Sequence, residues 1–405
     1  MSITADRHRT PIWLSEVDCR VDELRALLAT ETVLTDYPHA VEVSHNVPVY
    51  DAPRLLEDIP AVASRGGETV RDRALRMLQA EFVGALSDGP GIVVLAGAFE
   101  AEVVDRASAV FDEMISEQRA TGAEAGDHFA TPGSNDRVWN ALEKLAVAAP
   151  DVFVDYYAND MLAVVSAAWL GPGYQVTSQV NVVNPGGTGQ TVHRDYHLGF
   201  LENEAVAKYP AHVHRLSQVL TLQGAVAHCD MPVESGPTRY LPHSQKLMSG
   251  YLAWRLPQFR DFFETAAVQP PLAKGDAVFF NPALLHAAGS NQTTDIRRMA
   301  NLLQVSSAFG RAMETVDRAR VTAAIFPVLR QRRATATKET SLRNALASAA
   351  EGYAFPTNLD LDQPVGGLAP QTQADLAWEA LQEDWTSPQL EERLRVHAAR
   401  HQTHQ

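Results

Sequence analysis

The sequence predicts an α+β protein that is mainly β at its centre and helical towards both ends. Between residues 174 and 306, short runs rich in β-branched and aromatic residues follow one another. Turns rich in Gly, Pro, Asn and Asp separate these runs, as at 184–187, 234–237 and 274–276. On either side, apolar residues recur at helical spacing. Many short strands separated by such turns are typical of an antiparallel barrel or jelly roll of the cupin-like class.

Helices and one strand are predicted before the β region. Ser15 and Asp18 have the spacing of a capping box, and a helix is predicted over 15–29. Residues 36–66 carry several prolines and no apolar period, which predicts a loop or an arm. The remaining elements are a helix, a buried strand, a second helix and a polar, glycine-rich loop, predicted over 69–86, 92–95, 100–119 and 120–137.

The β region and the C-terminal section complete the expected order of elements. Six strands are predicted, over 174–183, 192–197, 217–228, 238–241, 276–280 and 298–306. Helical periodicity returns beyond Phe309, most clearly over 312–333 and 371–383. Three sections are therefore expected: an N-terminal helix and arm over 1–70, a β core with its leading helices over 71–310, and a helical extension over 311–405. We expect the extension to cover the barrel or to form a homodimer interface.

Composition restricts the classes of partner. The chain has 405 residues, of which 45% are hydrophobic and 20% charged, as in soluble globular proteins. Its net charge of −15 argues against nucleic acid or a membrane as partner, because both attract cationic surfaces. Cys19 and Cys229 form no CxxC motif, and no signal peptide or membrane span is visible. A cytoplasmic protein is therefore expected.

Two histidines and an aspartate form the best candidate site. His193 and Asp195 stand two residues apart, so on a strand they point to the same face. His286 follows the predicted strand 276–280 and could supply a third ligand. Two imidazoles and one carboxylate form the facial triad of non-haem Fe(II) oxygenases, with coordination positions left open. The sequence therefore predicts His193, Asp195 and His286 as metal ligands.

The His-x-Asp pattern alone is weak evidence for this site. A chain with 14 histidines is expected to contain about one such pair by chance. His228 and Asp230 fit the same pattern, and a surface or core polar pair is the competing interpretation for both pairs.

An arginine beyond the distal histidine strengthens the prediction. Arg297 lies eleven positions after His286, beyond a predicted turn, which would place it on the next strand beside the metal. Its guanidinium could bind the far carboxylate of 2-oxoglutarate through paired hydrogen bonds. The adjacent Arg298 is then expected on the opposite face of the strand. An exposed arginine at a strand end is the competing interpretation for Arg297.

Several motifs resemble one known family. The segment 274–306 reads KGDAVFFNPALLHAAGSNQTTDIRRMANLLQVS and strongly resembles the distal half of the phytanoyl-CoA dioxygenase family of Fe(II)- and 2-oxoglutarate-dependent oxygenases. The sequence HRDYH at 193–197 resembles its proximal H-x-D-x-H motif, and 234–246 resembles its ENG…LPGSHK signature. The strand and helix over 91–118 resemble its opening. The resemblance covers roughly residues 70–310.

This resemblance implies a fold, a cofactor and a set of site residues. The fold would be a double-stranded β-helix, with His193, Asp195 and His286 binding Fe(II) and Arg297 anchoring 2-oxoglutarate. Gln179 and Asn181 would contact the cosubstrate or the substrate. His197 and Gln190 would lie near the substrate, and His228 and Asp230 would form a structural pair. His197 could equally be structural. Ala288 stands where relatives often carry a Ser or Thr that contacts the cosubstrate.

The implied reaction is oxidation of a small-molecule metabolite. An unactivated C–H bond would be hydroxylated while 2-oxoglutarate and O₂ are converted to succinate and CO₂. The carboxylate of Asp195 favours hydroxylation, desaturation or ring formation over halogenation. Three other functions stay open: a zinc hydrolase using His193, Asp195 and His197, a non-catalytic jelly-roll binding protein, and a cupin dioxygenase that does not use 2-oxoglutarate. The substrate itself cannot be read from the sequence.

Overall fold

A computed structural model describes residues 11–59, 70–122, 134–335 and 337–403. Ten strands occur in this part of the chain: β1 Glu42–Ser44, β2 Val47–Asp51, β3 Ile92–Ala96, β4 Asn135–Val138, β5 Gln175–Val183, β6 Thr221–Ala227, β7 Arg239–Tyr240, β8 Ala277–Phe280, β9 His286–Ala287 and β10 Arg298–Ser306. The helices before β6 are α1 Val21–Leu28, α2 Ala52–Asp58, α3 Val70–Ser87, α4 Ala101–Thr121, α5 Ala141–Ala148, α6 Pro150–Tyr157, α7 Asp160–Leu170, α8 Asn203–Val206 and α9 Ala211–Val219. Those after it are α10 Gly250–Ala253, α11 Pro257–Ala266, α12 Arg318–Ala334, α13 Glu339–Ala349, α14 Gln373–Gln382 and α15 Ser387–Arg400.

Two sheets form the core. Eight strands pair in the order β1-β2-β3-β8-β6-β10-β5-β4, and all of these pairs are antiparallel except β2 with β3. The smaller sheet pairs β7 with β9, and isolated bridges attach His193 to His286 and Tyr240 to Val268. This is the jelly-roll core with flanking helices that the sequence predicts.

The two faces of the large sheet have different neighbours. Along β10, Met299, Leu303 and Val305 are buried in the main hydrophobic cluster, together with helical side chains. Ala300 and Leu302, on the other face of the same strand, line an internal cavity. Because side chains alternate along a strand, each central strand presents one face to the helices and the other to the cavity. Polar residues on the inner face therefore belong to one enclosed space.

The structure differs from the predicted elements at several places, among them the predicted loop 120–137, whose described end belongs to β4. The supposed arm contributes β1 and β2, which extend the large sheet because β2 pairs with β3 and β1 pairs with β2. The predicted strand 217–228 starts only at Thr221, because α9 continues to Val219. The predicted strand 192–197 is wrong except for a single bridge at His193. Tyr196 and His197 have φ of 61° and 46°, which turn the chain out of the extended conformation.

The C-terminal helices pack on the outer side of the core. Helix α12 contacts α5 and α6, and α13 contacts α6, α7 and β5. The arginines of α12 serve this packing, since Arg332 pairs with Asp155 at 2.7 Å and Arg330 with Asp384 at 2.9 Å. Helices α12 and α13 of the extension therefore pack on α5, α6 and α7. Within the described ranges, no helix combines the length and apolar character needed to cross a bilayer.

Candidate active site

The backbone brings His193, Asp195 and His286 together at one end of the small sheet. His193 and His286 exchange backbone hydrogen bonds of 2.9 and 3.2 Å, and the amide of Asp195 donates to the carbonyl of Pro282 at 3.1 Å. One ligand atom from each side chain lies within 4.8 Å of the other two. The Nε2 atoms of His193 and His286 lie 3.7 and 3.4 Å from the two carboxylate oxygens of Asp195. The three predicted ligands therefore converge on one point.

The imidazole orientation suits metal binding. Nδ1 of His193 lies 2.8 Å from the carbonyl of Thr191, and Nδ1 of His286 lies 2.8 Å from the carbonyl of Leu284. A carbonyl only accepts, so each Nδ1 carries the proton and each Nε2 keeps its lone pair. Metal-binding histidines are commonly oriented in this way. The donor set fits a divalent metal ion of the Fe(II) type.

The carboxylate of Asp195 is held ionised. Burial by itself would raise the pKa of Asp195, but the charge of His193, and the hydrogen bond and charge of His286, lower it when these two rings are protonated. A hydrogen bond from Gln223 adds to this effect, and the pKa ends well below its usual range. A carboxylate that stays deprotonated is ready to bind a cation.

Arg194, between two of the predicted ligands, fixes their loop to the protein. Its guanidinium is buried and donates to the carbonyls of Ser244 and Leu247 at 2.5 and 3.1 Å. Burial lowers the pKa of Arg194 to about 10, so it remains cationic at neutral pH. A Cβ atom at Gly250 would lie 1.9 Å from the guanidinium carbon, so only glycine leaves room there. This anchor holds the loop that carries His193 and Asp195.

The arginine that reaches the cavity is Arg298, not Arg297. Arg297 precedes β10 and pairs with Asp112 of α4 at 2.6 Å, with 35% of its side chain exposed. Arg298 is only 6% exposed and lines the cavity. Its Nη1 donates to the carbonyls of Ser235 and Gly289, both at 3.1 Å. The prediction that Arg297 faces the site is therefore wrong by one position.

The turn before β10 explains this shift. The side chain of Asn291 donates to the carbonyls of Ile296 and Val183 at 2.7 and 3.0 Å, and it accepts from the amide of Thr293. This arrangement closes the turn and places Arg298 opposite Val183 of β5. Because successive side chains on a strand point to opposite faces, that register directs Arg298 inward.

Arg298 is a buried cation that lacks a carboxylate partner among the described residues. Burial lowers its pKa to about 10, which still leaves it charged at neutral pH. Both of its recorded hydrogen bonds use Nη1, so Nε and Nη2 remain available for a ligand. A buried charge is costly unless it is paired. The environment of Arg298 therefore fits an anionic ligand.

The cavity has a volume of about 540 Å³ and contains the three metal-binding candidates and Arg298. The aromatic and apolar part of its wall is formed by Trp139, Phe200, Tyr240, Trp254, Leu272 and Phe280. The amide-rich part is formed by Gln179, Asn181, Gln190, Gln223 and Gln304. Gln179 is held from the neighbouring strand, since its Oε1 accepts from Arg137 at 3.0 Å. The cavity is large enough for a cosubstrate and part of a second small molecule.

Comparison with known proteins decides the family. The sequence pattern of the family described as phytanoyl-CoA dioxygenase (PhyH) matches residues 87–299, just over half of the chain. The chain belongs to the phytanoyl-CoA dioxygenase family. A curated relative, dioxygenase trt7 of Aspergillus terreus, is 24% identical over 208 residues, which are 51% of this chain and 67% of that protein. Family membership makes the chain a 2-oxoglutarate-dependent oxidoreductase.

Two solved structures are similar to parts of this dioxygenase family member. The non-heme alpha-ketoglutarate-dependent carbocyclase SnoK from nogalamycin biosynthesis is 20% identical, with a TM-score of 0.39 over 54% of this chain and 80% of that one. AviO1 from Streptomyces viridochromogenes Tue57 is 18% identical, with a TM-score of 0.40 over 55% of this chain and 93% of that one.

The remaining residues predicted for this dioxygenase divide into two groups. Gln179, Asn181 and Gln190 line the cavity. His197 does not, because its ring faces α9, where Nδ1 lies 3.3 Å from the hydroxyl of Ser217. The zinc hydrolase interpretation therefore lacks its third ligand at this site.

The second His-x-Asp pair lies on the helical side of the sheet. His228 is buried between Ser108 and Tyr156, whose hydroxyls lie 2.9 Å from Nδ1 and Nε2 respectively. Burial lowers the pKa of His228 to about 3, so the ring is neutral. Asp230 instead accepts from the amide of Lys274 at 2.9 Å. The structural interpretation of this pair fits both contacts.

Sequence reasoning missed Arg298 and Gln223. The arginine pair at positions 297 and 298 was visible in the sequence, but the sequence did not show which of the two side chains faces the cavity. The polar Gln223 within the apolar run TLQGAVA was a signal that a buried amide needs a partner.

Proposed function

We propose that this enzyme hydroxylates an unactivated C–H bond of a small-molecule metabolite, with Fe(II) bound by His193, Asp195 and His286 and with 2-oxoglutarate anchored by Arg298. The observation that carries the proposal is the buried, carboxylate-free Arg298 in the same cavity as the three converging ligands. When bound, the iron ion would supply the redox chemistry by which the substrate, O₂ and 2-oxoglutarate are converted to the hydroxylated substrate, succinate and CO₂.

The side chains of this protein bind, orient and shield. His193 and His286 offer neutral nitrogens and Asp195 an anionic oxygen, all from one side, so the opposite side stays open to ligands. Arg298 neutralises and orients the far carboxylate of the cosubstrate through Nε and Nη2. Tyr240 and Phe280, whose rings lie 6.4 and 4.8 Å from that of His286, exclude water from this part of the cavity.

The substrate subsite combines apolar walls with amides. Trp139, Phe200 and Trp254 would contact the body of the substrate. Gln179 lines the cavity while its Oε1 accepts from Arg137 and its amide also contacts the carboxylate of Glu314, and we assign it a contact with cosubstrate or substrate. Asn181 and Gln190 are assigned the same lining role. We infer a substrate with an apolar body and at least one carbonyl or hydroxyl oxygen.

Binding and turnover experiments test this proposal. An anaerobic titration of the Fe(II) protein with 2-oxoglutarate should develop a metal-to-ligand charge-transfer band. Addition of O₂ and a metabolite library should then give succinate formation that one substrate class stimulates, together with a product that has gained one oxygen atom. A zinc-containing protein that leaves 2-oxoglutarate unchanged would contradict the proposal and favour hydrolysis.

Replacing Asp195 tests the role of the carboxylate. We expect Asp195→Gly to lose hydroxylation by at least about a hundredfold, because removal of a ligand costs no less than disturbance of its supporting contacts. The vacated position could take weakly bound chloride. Asp230→Ala is the matched control, since Asp230 contacts the amide of Lys274 and lies outside the cavity. Product formation by mass spectrometry is the measurement, and an unchanged rate in Asp195→Gly would show that this carboxylate is not a ligand.

A further inference from the structure

Gln223 reaches Asp195 from the large sheet. It lies on the inner face of β6, opposite Phe280 of β8 and Gln304 of β10. Its side chain is nearly buried, and Nε2 donates to Oδ2 of Asp195 at 2.5 Å. An ionised carboxylate accepts but does not donate, so this contact determines which end of the amide faces Asp195.

The two oxygens of Asp195 therefore have different surroundings. Oδ2 accepts from Gln223 and lies 3.4 Å from Nε2 of His286. Oδ1 lies 3.7 Å from Nε2 of His193 and has no recorded hydrogen bond among the described residues. Of the two oxygens, Oδ1 is the one left to bind an ion.

The hydrogen bond that holds Asp195 differs in kind from those that hold His193 and His286. The recorded partners of His193 and His286 at Nδ1 are main-chain carbonyls, which side-chain substitution leaves in place. Asp195 depends instead on a side chain from another strand. The contact is costly to maintain, because Oε1 of Gln223 is buried without a hydrogen-bond partner. A buried amide kept at such a cost suggests a role at the site.

We propose that Gln223 is a positioning residue that keeps Asp195 a one-oxygen ligand. A carboxylate can bind a cation through one oxygen or through both, and the second oxygen takes an additional coordination position. By occupying Oδ2, Gln223 keeps that position open for 2-oxoglutarate and O₂. This inference rests on the proposed function, and it assigns to Gln223 control over the number of sites available to the cosubstrate.

The substitution that tests it is Gln223→Met, which keeps the length of the side chain and removes the donor. Gln175→Met is the matched control, because Gln175 lies on β5 of the same sheet, does not line the cavity and has no recorded contact with Asp195. Gln223→Leu serves as a second variant should the methionine protein fail to fold, as judged by its melting curve.

Two readouts that do not depend on turnover are used. The first is the visible absorption spectrum of the Co(II)-substituted protein, which is sensitive to coordination number. The second is an anaerobic titration of the Fe(II) protein with 2-oxoglutarate. For Gln223→Met we expect retained metal binding, a changed Co(II) spectrum and about tenfold weaker 2-oxoglutarate binding, as for loss of one charged hydrogen bond. Gln175→Met should match the parent in both.

The possible outcomes separate this inference from the proposed function. A Gln223→Met protein with the spectrum and the 2-oxoglutarate affinity of the parent overturns the inference and leaves the proposed function intact. Equal changes in Gln223→Met and Gln175→Met also overturn it, because they indicate a general effect of the substitution on the sheet. A parent protein that binds neither Fe(II) nor 2-oxoglutarate refutes the proposed function, and the inference with it.

Discussion

Arg298→Ala is expected to weaken 2-oxoglutarate binding by about one to two orders of magnitude, whereas Arg297→Ala should bind it as the parent does. Arg298 is buried in the cavity without a carboxylate partner in the described structure, while Arg297 pairs with Asp112 at the surface. Hydrogen bonds to charged groups contribute about 1.5–3 kcal/mol each. Since about 1.4 kcal/mol corresponds to a factor of ten, loss of one such hydrogen bond already gives one to two orders of magnitude, and loss of both bonds of a pair would give more.

Arg298→Lys separates charge from geometry. Lysine restores the positive charge but not the planar pair of donors, so we expect only partial recovery of affinity. Fe(II) affinity should stay close to that of the parent, because Arg298 is not a ligand. The measurement is the anaerobic titration followed through the charge-transfer band. Normal titration of Arg298→Ala together with impaired titration of Arg297→Ala would show that the strand has the opposite phase in solution.

His193→Ala and His286→Ala are each expected to abolish turnover and to reduce bound iron to a small fraction of the parent value. Each substitution removes one of three donors, and the remaining pair leaves an incomplete facial triad. The measurement is metal content after reconstitution with Fe(II) and dialysis, combined with succinate formation. The fold should survive in both variants, because each ring faces the cavity and not the main hydrophobic cluster.

His228→Ala is the matched control for these two variants. It removes the imidazole of the other His-x-Asp pair, and we expect its iron content to equal that of the parent. Its cost should appear in stability instead, since the hydroxyls of Ser108 and Tyr156 lose their buried partner. A His228→Ala protein without iron, alongside a His193→Ala protein with iron, would mean that the metal site lies on the other side of the sheet.

Much of the fold followed from local patterns. The strands at Gln175–Val183 and Arg298–Ser306 and the helix at Ala101–Thr121 lie close to their predicted positions, because strong apolar periodicity and clear turns define them. The strands β1 and β2 were missed because they are short and β2 contains Pro48, and because pairing with β3 stabilises β2, which in turn pairs with β1. Sequence patterns contain little information about such partners.

The sequence by itself determined the chemistry of the site. The spacing of His193 and Asp195, the distant His286 and the family motifs are properties of the chain. The three side chains converge although the predicted strand 192–197 is absent, since the bridge to His286 and the bond to Pro282 keep this short stretch in place. The prediction needed only the side chains of His193 and Asp195 to point in the same direction, and the single bridge to His286 is sufficient for that.

Only the tertiary structure decided which neighbours complete the site. The choice between Arg297 and Arg298 depends on the phase of β10, which the hydrogen bonds of Asn291 and the pairing with β5 impose. The contact of Gln223 with Asp195 joins a strand of the large sheet to a loop across the cavity. Both follow from how elements distant in sequence are brought together, because the direction of a side chain on a strand changes with each residue of register.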